Sequence, residues 1–369
     1  MLKVLILSCD TGEGHNSAAA AVAGALTRRG VENDVFDPLV LAGKYAERFV
    51  SGAYTVMMKK APSAFNALYR AGDIYSSTGI TSPVYHANAR YAANLRAYIE
   101  QNGYDRVVCT HLYPMETMTA IKKAGDFSVP CYGVLTDYTC IPFLAETELD
   151  GYFIAHEALR AELAEKGIPS ERIFVTGIPV DEKFAHRMEK SAARSYLAMA
   201  QEQDVFLIMS GGIGVGNADA ICDEILRRHG GAFTVYILVG RNSDLKAALE
   251  EKYAGNDHVR IVTFTKKVNV YMNAADVMIS KPGGLTSTEA AVAQVPLVQL
   301  LVYTACEAPN IAFFSSRGMS LRAEDAADAA AKAVELAQDK DETEAMRAAQ
   351  RRNVPPDAAD RIAERIVHP

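Results

Sequence analysis

The sequence predicts an α/β protein built from two parallel-sheet domains, and three observations carry that reading. Short apolar runs alternate with longer stretches of helical pattern along most of the chain. The alternation pauses at Gly177-Ile178-Pro179-Val180 and then restarts. The chain has 369 residues, long for a single core and comfortable for two.

Residues 1–8 read as a buried strand. Residues 17–29 are Ala-rich and close on Gly30, the pattern of a helix with a glycine stop. Residues 34–37, 105–109, 129–135, 151–155 and 172–176 are further strands, with helices over 114–124 and 157–166 between them. Such alternation predicts doubly wound sheets covered on both faces. The segment from about Leu39 to Tyr91 is rich in Tyr, Ala, Met and Lys and is expected to be a helical insertion. After the pause, 204–210, 234–239, 259–263, 277–280 and 297–301 are strands, and a helix runs through Arg228. Residues 324–350 are Ala-rich and charged, the pattern of surface helix, and 358–367 is a last amphipathic helix. The expected domains are 1–180 (insertion about 39–91) and 181–345, with 346–369 packing back on the first.

The formal charge of −7 gives no support to nucleic acid as a main partner. Six scattered cysteines form no C-x-x-C pair, which fits a reducing compartment. The opening apolar run is too short for a signal peptide or a span, and no other run approaches the roughly 18 residues a spanning helix needs. The expectation is a cytoplasmic chain, soluble or peripherally membrane-bound.

Two Gly-rich turns follow strands in the second half. In Ser210-Gly211-Gly212-Ile213-Gly214-Val215-Gly216 the backbone N–H groups can approach an anion at a helix start. The alternative is a plain tight turn. In Lys281-Pro282-Gly283-Gly284-Leu285-Thr286-Ser287-Thr288-Glu289 the turn and the hydroxyls of Thr286, Ser287 and Thr288 can donate to phosphate oxygens. Glu289, about one turn in, is placed either to accept ribose hydroxyls or to cap a helix begun by Thr286.

In the first half, Asp10 and His15 project from the loop after strand one, where α/β sheets bind ligands. A histidine there can take a proton from a hydroxyl, or it can be a solvated loop residue. Asp137, in Thr136-Asp137-Tyr138, is a second base or an orienter for His15, or an ordinary Asx turn. Arg241 follows a strand and can place a cation near a diphosphate, although a surface Arg is common. His111 also follows a strand and competes weakly with His15. The only Asp-x-Asp, Asp339-Lys340-Asp341, sits in a charged helical stretch and reads as a solvated face. No cluster has metal-ligand spacing, so neither a metal nor a separate cofactor is expected.

At these motifs the sequence resembles the monogalactosyldiacylglycerol synthase and processive diacylglycerol glucosyltransferase group, and more distantly the enzyme that adds N-acetylglucosamine to lipid I. The resemblance rests on 281–290, on Ser8–His15 (S-x-x-x-G-x-G-H), on Thr136-Asp137-Tyr138, on 175–180, and on Cys306-Glu307 through Asn310. It implies the GT-B fold, two Rossmann-like domains facing a cleft. It implies inverting, metal-independent transfer of a hexose from a UDP-sugar to a membrane lipid such as diacylglycerol. Carried over, Glu289 binds the ribose, Ser210, Gly211, Thr286 and Ser287 the diphosphate, and Glu307 and Asn310 the donor sugar. Gly14, Gly212, Arg241, Phe264, Gly283 and Gly284 complete the donor-binding candidates. His15, with Asp137, sits at the reacting centre. Where lipid-synthesising members carry a His and a Trp after the Thr-Asp-Tyr motif, this chain has Ile141 and Leu144. The basic and aromatic residues of the insertion (Lys44, Arg48, Lys59, Lys60 and Arg70 among Tyr45, Phe49, Tyr54 and Phe65) suit a peripheral contact with the cytoplasmic membrane face. The alternatives are a UDP-sugar 2-epimerase and a non-catalytic UDP-sugar-binding subunit.

Overall fold

Strands buried on both faces read as near-continuous apolar runs, and those runs are the ones that pair. The computed structural model describes residues 2–9, 13–43, 81–209, 217–301 and 307–368. The chain divides into two compact units, one built from Met1–Glu182 and Pro355–Pro369, the other from Lys183–Tyr303 and Glu307–Val354.

The first unit runs β1 (Lys3–Leu7), α1 (Glu13–Arg28), β2 (Glu32–Phe36), a 3-10 turn (Pro38–Ala42), α2 (Pro83–Ala89), α3 (Ala92–Gln101), β3 (Arg106–Cys109), α4 (Leu112–Lys123), β4 (Cys131–Val134), β5 (Gly151–Ile154), α5 (Ala158–Glu165) and β6 (Ile173–Val175). Its sheet is parallel, in the order β2-β1-β3-β4-β5-β6. The alanines Ala18, Ala19 and Ala25 of α1 are fully buried, so the helix lies close on Val4 and Ile6 of β1. Gly30 ends that helix at φ 71°, where a side chain would be strained.

The second unit runs α6 (Lys190–Tyr196), β7 (Asp204–Met209), α7 (Ala218–Arg228), β8 (Phe233–Gly240), α8 (Ser243–Lys252), β9 (Val259–Thr263), α9 (Val268–Ala274), β10 (Val277–Ser280), α10 (Gly284–Ala293), β11 (Leu297–Leu300), α11 (Ala308–Ser315), β12 (Leu321–Ala323), α12 (Ala326–Gln338) and α13 (Lys340–Asn353). Its sheet is also parallel, in the order β12-β11-β10-β7-β8-β9. The last helix, α14 (Ala358–Val367), belongs to the first unit, where Ile362, Ala363 and Ile366 join the core against α1.

Each sheet reverses its strand order once, between β1 and β3 in the first unit and between β7 and β10 in the second. At such a switch point the loops leaving two neighbouring strands diverge to opposite faces and open a crevice at the carboxyl ends.

Three expectations are corrected. α1 begins at Glu13 rather than 17, so His15 is a first-turn helical residue and not a loop residue. Glu13 adds a negative charge where the helix dipole favours one. Residues 324–350 form two helices, because Asp339 breaks the run and its carboxylate accepts the Glu342 N–H to cap α13. The same capping gives Asp339 of the Asp-x-Asp a structural role. The return to the first unit starts at Pro355, not 346. Gln350 holds α13 to the second unit by donating to the Val295 and Met319 carbonyls. Of the expected insertion, the 3-10 turn and α2 are described, and its basic and aromatic residues 44–80 lie outside the described residues.

Candidate active site

In the first unit β1 and β3 end side by side, with Leu7 opposite Cys109. The chain leaving β1 places His15 in the first turn of α1, and the chain leaving β3 places His111 at the N-cap of α4. Ser8 Oγ donates to the side-chain oxygen Oδ1 of Asn16 at 2.6 Å, which ties that first turn to the end of β1. The two imidazoles meet edge to face, 4.5 Å between centroids and 80° between planes.

Hydrogen bonding fixes the tautomers. His15 Nδ1 lies 2.8 Å from the Thr110 carbonyl oxygen, which can only accept, so Nδ1 carries the proton and Nε2 the lone pair. Thr136 Oγ1 is 3.2 Å from the same nitrogen. His111 Nδ1 instead accepts the Tyr113 N–H at 3.1 Å, so its proton is on Nε2. Burial pushes the His15 pKa below the ordinary histidine value, against an upward pull from Asp137 and from the Thr110 hydrogen bond. Burial, and then repulsion from His15, holds His111 well below its usual value. Of the two imidazoles, only His15 has an upward pull on its pKa, from Asp137 and from the Thr110 carbonyl. Gly14 lies half-buried in the same first turn. Of the two altered motif positions, Leu144 is fully buried and Ile141 half-buried.

In the second unit β10 ends with Ser280 opposite Met209 of β7. Lys281-Pro282-Gly283 turns the chain, and α10 begins at Gly284 with Gly283 as N-cap and no side-chain cap. An uncapped helix start offers backbone donors and partial positive charge to an anion. Only Thr286 of the three hydroxyl residues is half-exposed. Ser287 is fully buried and its hydroxyl donates to the Gly283 carbonyl at 2.7 Å, while Thr288 donates to Gly284. This corrects the expectation that Ser287 presents its hydroxyl to a diphosphate. Glu289 is the sixth residue of α10, half-buried, so the capping reading fails: a capping glutamate sits at the third.

Glu307 stands at the N-cap position of α11 and takes an ion pair from Lys281 at 2.7 Å. A Cβ on Gly283 would lie 3.8 Å from the same Glu307 oxygen, so Lys281, Gly283 and Glu307 make one wall. Asn310 is fully buried on α11. Arg241 and Phe264 leave the neighbouring strands β8 and β9 and pair with each other, guanidinium carbon 4.3 Å from the ring centroid. Phe264 is 51% exposed, enough ring face to stack on a planar ligand. Ser210, Gly211 and Gly212, between β7 and α7, lie outside the described residues.

Sequence reasoning missed the Thr110 carbonyl, the Thr136 hydroxyl and the Lys281 partner of Glu307. A backbone carbonyl carries no residue signature, and the ion pair joins residues 26 apart. Among the described residues no group of three or more His, Cys, Asp or Glu could hold a metal ion, and no helix is long and apolar enough to cross a membrane.

Comparison with known proteins adds independent findings. Residues 15–180 match the family model described as monogalactosyldiacylglycerol (MGDG) synthase, and residues 217–308 match the glycosyltransferase family 28 C-terminal domain. A processive diacylglycerol beta-glucosyltransferase of Bacillus cytotoxicus is 27% identical over 328 residues, covering 86% of this chain and 81% of its own. Among solved structures, Acinetobacter baumannii MurG superposes with a TM-score of 0.66 at 15% identity, over 100% of this chain and 99% of that one. A UDP-GlcNAc 2-epimerase from Neisseria meningitidis gives 0.63 at 14% identity, over 100% of both chains. Likeness at such identities establishes architecture alone, and the architecture is GT-B.

Proposed function

We propose, from the match of residues 15–180 to the MGDG synthase model and of residues 217–308 to the glycosyltransferase family 28 C-terminal domain, that the chain moves a hexose from a UDP-sugar to a lipid hydroxyl, with diacylglycerol as the acceptor class. The observation that carries the chemistry is the fixed tautomer of His15, which leaves the lone pair on Nε2 of an imidazole whose pKa Asp137 pulls upward. The acceptor O–H gives its proton to His15 Nε2 as the oxygen attacks the anomeric carbon. The bond to UDP breaks on the opposite side, so the configuration inverts. Asp137 stabilises the imidazolium until it returns the proton to solvent.

In the second unit the open start of α10 receives the diphosphate and the departing negative charge. Glu289 accepts the ribose hydroxyls, Glu307 and Asn310 contact the sugar, and Phe264 with Arg241 lines the base and phosphate side. Support for these roles is their placement after β8, β9, β10 and β11, at the carboxyl end of the sheet that holds the β7/β10 switch point. The lipid acceptor extends the reading to peripheral attachment at the cytoplasmic membrane face.

Labelled UDP-glucose, UDP-galactose and UDP-N-acetylglucosamine, each incubated with the protein and a total lipid extract, test this directly. A labelled glycolipid is expected. An isomerised donor would move the assignment to epimerase, and no product at all would leave a binding protein. Glu289→Ala is expected to weaken UDP binding by about tenfold or more in calorimetry, the cost of losing charge-assisted hydrogen bonds to the ribose. Unchanged affinity would remove Glu289 from the nucleotide site.

A further inference from the structure

A polar residue in the middle of a parallel sheet has to justify its desolvation. Gln299 is such a residue: it lies in β11, between β10 and β12, and is fully buried. Its amide oxygen accepts the Ser320 hydroxyl at 2.7 Å. Its amide nitrogen donates to Ser287 Oγ at 2.7 Å, and Ser287 donates onward to the Gly283 carbonyl at 2.7 Å. Ser287 and Ser320 are buried too.

The direction of this chain is set at its far end. The Gly283 carbonyl can only accept, so Ser287 must spend its proton there. Its oxygen then has to accept, which turns the amide nitrogen of Gln299 toward it and the amide oxygen toward Ser320. Aligned hydrogen bonds of this kind polarise one another in a dry interior. The relay ends on the N-cap carbonyl of α10, which also accepts the Ser287 N–H at 2.9 Å. Two bonds from the core thus draw that carbonyl inward and set the plane of the peptide whose N–H opens the helix.

We propose that Gln299 is a positioning residue for the donor site, acting through Ser287 to hold the Gly283–Gly284 peptide in the orientation that receives a nucleoside diphosphate. The inference rests on reading this turn as the diphosphate site. It recasts Ser287 as a support of the turn instead of a ligand of the phosphate.

The test measures UDP binding by calorimetry and donor kinetics on the full chain, with circular dichroism as the check of folding. Gln299→Leu is expected to weaken UDP binding by about tenfold and to raise the donor KM in step, with kcat changed less than about threefold. Ser287→Ala is expected to do the same, and the double variant to be no weaker than either single one, because both cut one relay. A folded Gln299→Leu protein that binds UDP within about twofold of wild type would overturn the proposal, as would additive losses in the double variant.

Gln299→Glu supplies a readout that a packing role would not move. A neutral carboxylic acid can donate to Ser287 and accept from Ser320 as the amide does. A carboxylate only accepts, so it turns the Ser287 hydroxyl away from Gly283. Its UDP affinity relative to wild type should be depressed at about pH 8.5 and recover toward about pH 5.5, as the buried acid regains its proton. A ratio independent of pH would overturn the proposal even if Gln299→Leu fails to fold. If wild type itself binds no UDP, the donor reading of the turn falls instead.

Discussion

Three groups bear on the proposed proton transfer in the first unit: the His15 imidazole, the Thr110 carbonyl and the Asp137 carboxylate. Burial dominates and holds the His15 pKa down, so the proposed base is neutral at pH 7. kcat/KM should stay level below the pH at which a free histidine protonates, and fall only as pH drops through the lowered value. Asp137 pulls the pKa up, so Asp137→Asn should move that acid limb to still lower pH. It should also cut kcat by about tenfold or more, since the imidazolium loses its counter-charge. A limb that moves upward, or not at all, would separate Asp137 from the base. A second buried acid follows a different rule. Glu116 of α4 is fully buried, accepts from Asn88 at 2.6 Å, and has no partner for its other oxygen among the described residues. Burial, reinforced by Glu146, pushes its pKa up to about 8. A raised carboxyl pKa contributes stability below the unfolded value and loses it as pH rises through the folded one. Glu116→Gln should therefore gain on wild type between pH 5 and 9, by about 2 kcal/mol at the upper end in urea titrations.

At the scale of the element, α10 shows how a helix start can be tolerant in its fold and strict in its function. Gly283 has φ −67°, and an added Cβ would meet nothing nearer than 3.8 Å. Gly283→Ala should leave the melting temperature nearly unchanged while the methyl group obstructs the anion side, lowering UDP affinity about tenfold. Equal affinity would argue that no phosphate approaches this turn. The sequence made some elements readable to the residue. Val259–Thr263, Val277–Ser280 and Ala358–Val367 coincide with their apolar or amphipathic patterns. The start of α1 was hidden, because Glu13-Gly14-His15 carries no helix-forming bias and reads as a turn. Gln299 was hidden for the opposite reason: inside Leu297-Val298-Gln299-Leu300 a lone polar residue says nothing of which hydroxyls will face it.

At the scale of the whole molecule, what the sequence withheld is strand order. Apolar runs announce strands, but nothing in them says that β1 lies beside β3, or β7 beside β10. Those two adjacencies bring His15 to His111 and set the Lys281 turn beside the end of β7. Among the described residues the chain crosses between the units after Glu182 and after Val354. A Cβ on Gly177, before the outward crossing, would lie 2.6 Å from Pro355 Cγ, just after the return. Beyond Pro355, α14 covers α1 and Asp360 pairs with Arg28 and Arg29. Removal of residues 355–369 should uncover Val22 and Leu26 and make the first unit sensitive to limited proteolysis, with the strands of the second unit still protected from hydrogen exchange. Uniform loss of protection would mean the units unfold together. The position of α14 also has a temporal meaning. A ribosome delivers this helix after the twelve described strands, so α14 reaches the core of the first unit only after residues 183–354 are made. While residues 183–354 are being made, the apolar stripe of α1 waits uncovered, a standing invitation to a chaperone on the nascent chain.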